Sequence, residues 1–288
     1  MKPSEKPGYS LFVLVLILAV VSQPVVASDE TKLQTPGSQH QLVLGIAPFM
    51  SPLALIKRMA PLRDYLSQIM GRTVRIETAT DAREFTQRTL EGRYHFVLTN
   101  PTFALMALET SDFRLVATQK QHISGSLIVK ADSEIQSVDQ LAGKSIGAPP
   151  KVGFLGQLVR PYLKAFDFPE NQMPRVFNYN SHNAAISALR LGDSDATLIV
   201  SFMEKHLDKQ NLPYRVIHRT ESFPGMTIVG YQSLSDNEFK QLREILITID
   251  TDAQGRAVLE KINMPGYRVM EESELEKVRP YLPVNNKK

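Results

Sequence analysis

Apolar positions along the chain recur with two different periods, and the two periods alternate. The run LVLGI at residues 42–46 is continuous, which is typical of a buried strand, whereas the segment after it carries apolar residues at helical spacing. Ser51 and Pro52 predict the start of that helix, and Gly71 predicts its end. Pro61 lies inside the helical pattern, so we expect it to kink the helix or to divide it in two.

The same alternation continues along the rest of the chain. It predicts strands at 73–79, 94–98, 113–118, 124–130, 144–148, 175–178, 195–200, 214–218 and 226–230. It predicts helices at 81–92, from Pro101, at 153–167, at 181–191 and at 236–249, with a short one at 137–143. Such alternation favours α/β architecture: two lobes, each a mostly parallel sheet covered by helices, with ligands bound beyond the carboxyl ends of the strands.

The N-terminus has the pattern of a secretory signal peptide. Lys2 and Lys6 precede the apolar run LFVLVLILAVV at residues 11–21, and small residues follow, so we predict cleavage after Ala27. The alternative is an uncleaved membrane anchor, but the run is short for a bilayer span. Residues 28–40 are polar and aperiodic, which predicts a flexible lead-in before the folded part.

Composition and charge narrow the class of protein. The 288 residues are 43% hydrophobic and 22% charged, as in globular proteins long enough for two lobes. The chain has no Cys, so a lipid anchor at the cleavage point and thiolate sites are excluded, and we expect a soluble monomer in the periplasm. The formal net charge is only +3, which predicts no nucleic-acid partner.

Motifs of catalysis and metal binding do not occur in the sequence. The six His residues show no HExxH or other compact ligand spacing, and there is no G-x-S-x-G elbow, no Walker loop and no GxGxxG. We therefore expect no metal, no cofactor and no catalytic residue, and predict that the protein is not an enzyme.

Three long stretches resemble one family of bacterial importers. They are GIAPFMSPLALIKRMAPLRDYL (45–66), SGSLIVKADSEIQSVDQLAGKSIGAPP (124–150) and NYNSHNAAISALRLGDSDATLI (178–199). Together they are similar to the phosphate, phosphite and phosphonate binding proteins, the PhnD-like substrate-binding components of ABC transporters. The likeness is collinear over nearly the whole exported chain.

The resemblance implies the type II periplasmic binding protein fold, in which two α/β lobes joined by two crossing strands close over a small ligand. It places the crossings near 119–127 and 218–228. Lobe one would then combine 41–122 with 223–288, and lobe two would be 123–222.

One group of candidate binding residues lies where a predicted buried strand meets a helix. Thr99, Asn100 and Thr102 surround Pro101 there, and the corner would bring a capping side chain and free amides to the cleft, where they could hold an oxyanion. The alternative is that Thr99 or Asn100 only caps the helix that Pro101 opens.

The loop PPKVGFLGQLVRP (149–161) departs from the resembled family, which has hydroxyl residues and a glycine there around the phosphonate oxygens. Lys151, Gly153 and Phe154 stand in this loop, so backbone amides and the Lys151 charge would replace the hydroxyls. The expected ligand is a phosphonate- or phosphite-like anion, or a different and partly apolar one. Alternatively, Lys151 is a surface residue and Phe154 covers the helix start.

The remaining candidates are one helix start and two aromatic residues. Ser181 and His182 open the predicted helix at 181–191, where His182 could donate to an anion; the alternatives are a plain Ser181 cap and a solvated His182. Phe49 follows the first strand and Phe202 follows the strand DATLIV, so both could line the cleft or pack in the core.

The resemblance implies a periplasmic solute-binding protein that captures a small anionic ligand and delivers it to an ABC transporter permease. The alternative is a sensory ligand-binding protein that works with a separate membrane sensor kinase. The stretch HFVLTNPTFALM (95–106) also resembles periplasmic domains of some sensor histidine kinases.

Overall fold

The structure is a computed structural model that describes residues 41–110, 112–209 and 212–282. The predicted signal peptide and lead-in lie outside the described residues. Within the described ranges, no helix combines the length and the apolar character needed to cross a membrane.

Strands and helices alternate as the sequence predicts. The strands are β1 Gln41–Ile46, β2 Thr73–Glu77, β3 Phe96–Thr99, β4 Phe113–Gln119, β5 Gly125–Lys130, β6 Ser145–Ala148, β7 Arg175–Asn178, β8 Ala196–Val200, β9 Tyr214–Arg219, β10 Thr227–Tyr231 and β11 Tyr267–Arg268. The helices are α1 Pro52–Met70, α2 Ala82–Leu90, α3 Pro101–Leu108, α4 Phe154–Leu163, α5 His182–Leu191, α6 Glu204–Lys209, α7 Asp236–Thr248 and α8 Ala253–Ile262. Short 3₁₀ segments occur at Val138–Leu141, Glu170–Gln172, Ser201–Met203 and Glu272–Tyr281.

The strands form two sheets flanked by helices, which confirms the predicted fold class. The first sheet has the strand order β11-β4-β10-β3-β1-β2, and the second has the order β7-β6-β8-β5-β9. In the first sheet β1 pairs in parallel with β2 and β3, and in the second β6 pairs in parallel with β7 and β8.

The strand directions add one detail to the predicted mostly parallel sheets, because each sheet also contains antiparallel pairs. In the first sheet β10 runs antiparallel to both β3 and β4, and in the second β5 runs antiparallel to both β8 and β9. Helical connections enforce parallel pairing, but strands that arrive from the other lobe are free of that constraint. Periodicity along the chain carries no information on this point.

The first helix shows how local sequence sets an element. α1 begins at Pro52 and ends at Gly71, whose φ of 64° suits a residue without a side chain, as predicted. The helix runs unbroken through Pro61, so the predicted division into two is wrong. Its buried face packs on the first sheet through Leu55, Met59 and other apolar residues, and this packing outweighs the lost backbone hydrogen bond.

Two chain crossings connect the sheets, one between β4 and β5 and one between β9 and β10. They touch at one antiparallel bridge, in which Ile123 N–H donates to the Phe223 carbonyl (2.9 Å) and Phe223 N–H donates to the Ile123 carbonyl (2.8 Å). The strands of the first sheet fall within 41–122 and 223–288, and those of the second within 123–222. The exact lobe boundaries stay a prediction.

A shared hydrophobic core runs across both sheets. One continuous cluster of buried residues includes Val97 and Val229 of the first sheet together with Ile146 and Leu198 of the second. The C-terminal segment, Glu272–Tyr281, contacts both α3 and α4 and so spans this junction. Together with the crossings, it joins the two lobes.

Candidate functional site

A cavity of about 420 Å³ lies between the two sheets. Its walls are formed by Ala47, Phe49, Met50, Arg58, Asn100, Gln119, Gln121, His122, Ile123, Pro149, Val152, Gly153, Phe154, Leu155, His182, Val200, Phe202, Met226, Asn263, Met264 and Pro265. Many of them directly follow the carboxyl ends of β1, β3, β6 and β8, which is where an α/β sheet is expected to bind a ligand.

The N-terminus of α4 opens on this cavity without a side-chain cap. The first amides of an α-helix have no partner within the helix, and the N-cap residue here, Gly153, has no side chain to bond them. Gly153, Phe154 and Leu155 all line the cavity. An uncapped helix start supplies free N–H donors and the positive end of the helix dipole, both of which suit an anion.

Close packing of backbone on backbone holds this helix start in place. The Gly153 N–H donates to the Pro150 carbonyl at 2.9 Å, which folds the turn before α4. Gly156 lies in the first turn of α4, and a Cβ there would meet the Pro150 carbonyl oxygen far inside van der Waals contact. The turn can therefore pack this tightly only against a glycine.

His182 supplies a second unpartnered polar group. Its ring lines the cavity, and its Nδ1 is buried with no hydrogen-bond partner among the described residues. Burial lowers the pKa of His182, so the imidazole is neutral at pH 7. A buried nitrogen without a partner lowers the stability of the fold, and because Nδ1 is closed off from solvent it does not itself face the cavity.

Arg58 brings a formal positive charge to the opposite wall. It lies on α1, half-buried, and its guanidinium is held by the backbone at the end of α8: Nε donates to the Ile262 carbonyl at 2.9 Å and Nη2 to the Asn263 carbonyl at 3.4 Å. Both acceptors are neutral, so the charge is left without a carboxylate at these contacts. The cation lines the cavity.

Asn100 connects the two lobes beside the cavity. Its Oδ1 accepts from the Phe103 N–H at 3.0 Å and so caps α3, while its Nδ2 donates to the Val152 carbonyl at 3.2 Å. Next to it, the Thr102 hydroxyl lies 2.6 Å from Gln157 Oε1 of α4. The corner at residues 99–102 therefore caps its helix and also contacts the other lobe.

A family model for periplasmic phosphonate substrate-binding proteins of ABC transporters matches residues 44–275. The chain belongs to this family. Its members are substrate-binding proteins of the periplasm, so the protein is not an enzyme, and a small ligand and a membrane permease are its partners.

Solved structures with the same fold include three from different bacteria. PhnD1 from Prochlorococcus marinus in complex with methylphosphonate has a TM-score of 0.71 and 14% identity, covering 84% of this chain and 97% of that one. A Xanthomonas citri protein bound to ATP has a TM-score of 0.69 and 18% identity, covering 85% and 100%. A binding component of a phosphonate transporter from Pseudomonas aeruginosa has a TM-score of 0.66 and 20% identity, covering 83% and 84%. These proteins share the type II periplasmic binding fold.

In this substrate-binding protein, the structure separates the predicted binding residues into two groups. Phe49, Asn100, Gly153, Phe154, His182 and Phe202 line the cavity, whereas Thr99, Thr102, Lys151 and Ser181 do not. A ligand contact for any of them stays a prediction.

Each residue of the second group has a physical reason to point elsewhere. Thr99 is the last residue of β3 and lines a narrow gap beside α2 and α3, because successive strand residues face opposite sides. Thr102 is buried in the contact with Gln157, and Lys151 is exposed on the turn. Ser181 accepts from the Ala184 N–H at 3.0 Å, which is the plain cap considered above.

Sequence reasoning missed several cavity residues, of which Arg58 is the most consequential. It borders the buried face of α1, between Leu55 and Met59, and a cation at that position of an amphipathic helix was the available signal. Gln119 is the last residue of β4, Met226 lies in the crossing between β9 and β10, and Met264 lies in the loop after α8. Only the folded topology brings those segments together. Within the described part of the chain, no group of three or more His, Asp or Glu side chains is arranged to hold a metal ion.

Proposed function

We propose that the protein captures a phosphonate-class oxyanion in the cavity between its lobes and delivers it to the permease of an ABC importer. The observation that carries this proposal is that the uncapped N-terminus of α4 and the Arg58 guanidinium meet at one cavity, with His182 in its wall. The family to which the chain belongs supports the transport role.

The α4 N-terminus and Arg58 suit an oxyanion for electrostatic reasons. An anion that leaves water loses strong hydration, so it needs several donors and an opposite charge in return. The end of α4 supplies amides and a partial positive charge of roughly half a unit, and Arg58 supplies a full one. Hydrogen bonds to a charged partner contribute about 1.5–3 kcal/mol each. Amides and Arg58 thus replace the hydroxyl donors that the loop at 149–161 lacks.

The donors are divided between the lobes, which couples binding to closure. Arg58 and Asn100 belong to elements that flank the first sheet, whereas α4 and His182 belong to the second. A ligand held by both sets stabilises the arrangement in which the lobes touch, since only that arrangement offers all the contacts. The permease would then recognise the ligand-bound arrangement.

The test is isothermal titration calorimetry of the purified protein with methylphosphonate, phosphite, phosphate, sulfate and acetate. We expect a phosphorus oxyanion to bind best, and Arg58→Gln to weaken its binding by about tenfold or more, the equivalent of one charge-assisted hydrogen bond. The matched control is Arg63→Gln on the same helix, whose guanidinium pairs with Asp64 away from the cavity. Equal binding by both variants, or binding of none of the phosphorus oxyanions, would refute the proposal.

The sensory role stays a prediction. Neighbouring genes discriminate between the two roles, since a permease and an ATPase indicate transport, whereas a kinase and a response regulator indicate signalling.

A further inference from the structure

The cavity is larger than an oxyanion head group requires. Its volume is about 420 Å³, whereas a water molecule in the liquid takes about 30 Å³ and an ion such as methylphosphonate on the order of 100 Å³ on the same scale. Pockets of this size elsewhere hold ligands with a substantial organic part. Most of the cavity is therefore left unfilled when an oxyanion binds to the α4 amides and to Arg58.

The walls of the cavity as a whole are mainly apolar. Methionines and aromatic residues from both lobes form them: Phe49, Met50, Met226 and Met264 from one lobe, and Phe154 and Phe202 from the other. Methionine side chains are flexible and polarisable, so they adapt to apolar groups of different shapes. Phe202 keeps 57% of its surface exposed, which is a large exposed fraction for an aromatic side chain at a cavity wall.

Side chains on both sides of Phe202, those of Ser201 and Glu204, are held in a polar network, while the Phe202 ring is left exposed. Ser201 Oγ lies 2.7 Å from Ser126 Oγ and 3.0 Å from Ser124 Oγ. Glu204 accepts from Ser126 and pairs with Arg219 at 2.6 Å. The ring is thus carried on a hydrogen-bonded segment, and ordering of the chain around a ring costs less entropy when its neighbours are already held in place.

The lack of acidic side chains in the cavity walls disfavours a ligand with a cationic substituent. Among the described residues that line it, none is Asp or Glu, whereas Arg58 carries a positive charge. An ammonium group on the ligand would lose its hydration and find no carboxylate in exchange. An uncharged apolar group has no such strong hydration to lose, and it gains contact with the methionines and Phe202.

We infer that the ligand is an organic phosphorus oxyanion with an uncharged alkyl or aryl substituent, which packs on Phe202 and the methionines. This inference rests on the function proposed above and names the class of substrate. The inferred ligand class differs from a bare inorganic ion and from an aminoalkyl phosphonate.

The first experiment compares the dissociation constants of methylphosphonate, propylphosphonate, phenylphosphonate and 2-aminoethylphosphonate by calorimetry. Each methylene buried in the cavity should tighten binding about fourfold. Propylphosphonate and 2-aminoethylphosphonate have the same number of heavy atoms, so they are a matched pair. We expect the propyl compound to bind about tenfold more tightly, because only its substituent is uncharged.

The second experiment uses Phe202→Ala with Phe177→Ala as the matched control. Phe177 is also exposed, at 48%, but it lies on β7 and does not line the cavity. Phe202→Ala should shrink the ratio between the phenylphosphonate and methylphosphonate affinities by about fivefold or more, whereas Phe177→Ala should leave that ratio as it is.

The outcomes separate this inference from the proposed function. If methylphosphonate binds as tightly as its propyl and phenyl analogues, or if 2-aminoethylphosphonate binds more tightly than propylphosphonate, the substituent is not recognised by apolar contact and the inference fails while the function stands. A ratio unaffected by Phe202→Ala also overturns it. If none of the four compounds binds, the proposed function itself is wrong.

Discussion

At the scale of single residues, His182 connects the cavity to the stability of the fold. Its ring is desolvated, its Nδ1 has no partner among the described residues, and burial lowers its pKa below the ordinary value. The same cause lowers the pKa of His95 and of His218. In the ligand-free protein these imidazoles resist protonation, although the unfolded chain protonates them freely.

The sign of the resulting pH dependence is fixed. Below about pH 6.5 the unfolded chain binds a proton at position 182 that the folded chain does not yet bind, so the free energy of unfolding falls as the pH falls. We expect His182→Asn to lose less stability than the unchanged protein between pH 7.5 and pH 5.5. Urea unfolding at several pH values measures the free energy of unfolding as a function of pH. In the variant, His95 and His218 still make this free energy fall as the pH falls, so a smaller slope of the same sign remains. Identical slopes for the two proteins would contradict it.

At the scale of elements, the position of α4 depends on its glycines. Gly156→Ala would push the new methyl group into the Pro150 carbonyl, so the turn at 149–153 must move and carry the free amides with it. We expect a loss of about 1–3 kcal/mol in the free energy of unfolding, as for other overpacked sites, together with weaker methylphosphonate binding.

The comparison variant for that helix is Gly153→Ala. A Cβ at position 153 would lie 3.4 Å from the same oxygen, an ordinary contact, so the substitution should cost less than about 1 kcal/mol. Urea unfolding and calorimetry of the two variants side by side give the result. A smaller effect of the substitution at 156 than at 153 would show that the turn is not held by this packing.

Elements with strong local signals were predictable from the sequence, and those made by tertiary contacts were not. α1 and α5 have capping residues and closing glycines, and their bounds in the structure agree with the prediction to within one residue. The two-residue strand β11 and the short helix α6 have no such signals and were missed. β11 exists only because β4 offers it an edge, and no periodicity of two residues can predict that.

The same distinction applies to the candidate site. Strand ends followed by helix starts pointed to Asn100 and His182, because in an α/β fold such corners meet at the sheet edge, whereas the family resemblance pointed to Gly153. Arg58 and Met264 are about 200 positions apart and meet only through the packing of α1 on α8. The sheet order that produces this packing is a property of the folded chain and not of any one segment.

At the scale of the whole molecule, the C-terminal segment joins the lobes through aromatic rings. The Tyr281 ring centroid lies 5.5 Å from that of Phe223, and 6.3 Å from those of Phe154 and Tyr162. These partners belong to a crossing and to α4, so the cluster ties the end of the chain to the junction between the sheets.

Removing the Tyr281 ring should lower the stability of the whole protein and not only of one lobe. We expect Tyr281→Ala to lower the free energy of unfolding by about 2–4 kcal/mol, since it leaves a void among aromatic partners, whereas Tyr281→Phe keeps the ring and most of the stability. Thermal unfolding followed by circular dichroism tests both variants. If the alanine variant melts at the temperature of the unchanged protein, the segment does not hold the lobes together.

The bridge between Ile123 and Phe223 has a mechanical consequence. Its two reciprocal hydrogen bonds fasten the crossings side by side, so neither can bend or slide without the other. Two segments that are hydrogen-bonded side by side resist sliding and twisting, but they can still bend together about one axis. We therefore expect the lobes to open and close mainly about that one axis. A membrane partner that docks on both lobes would then need to sense only that angle to distinguish a loaded protein from an empty one.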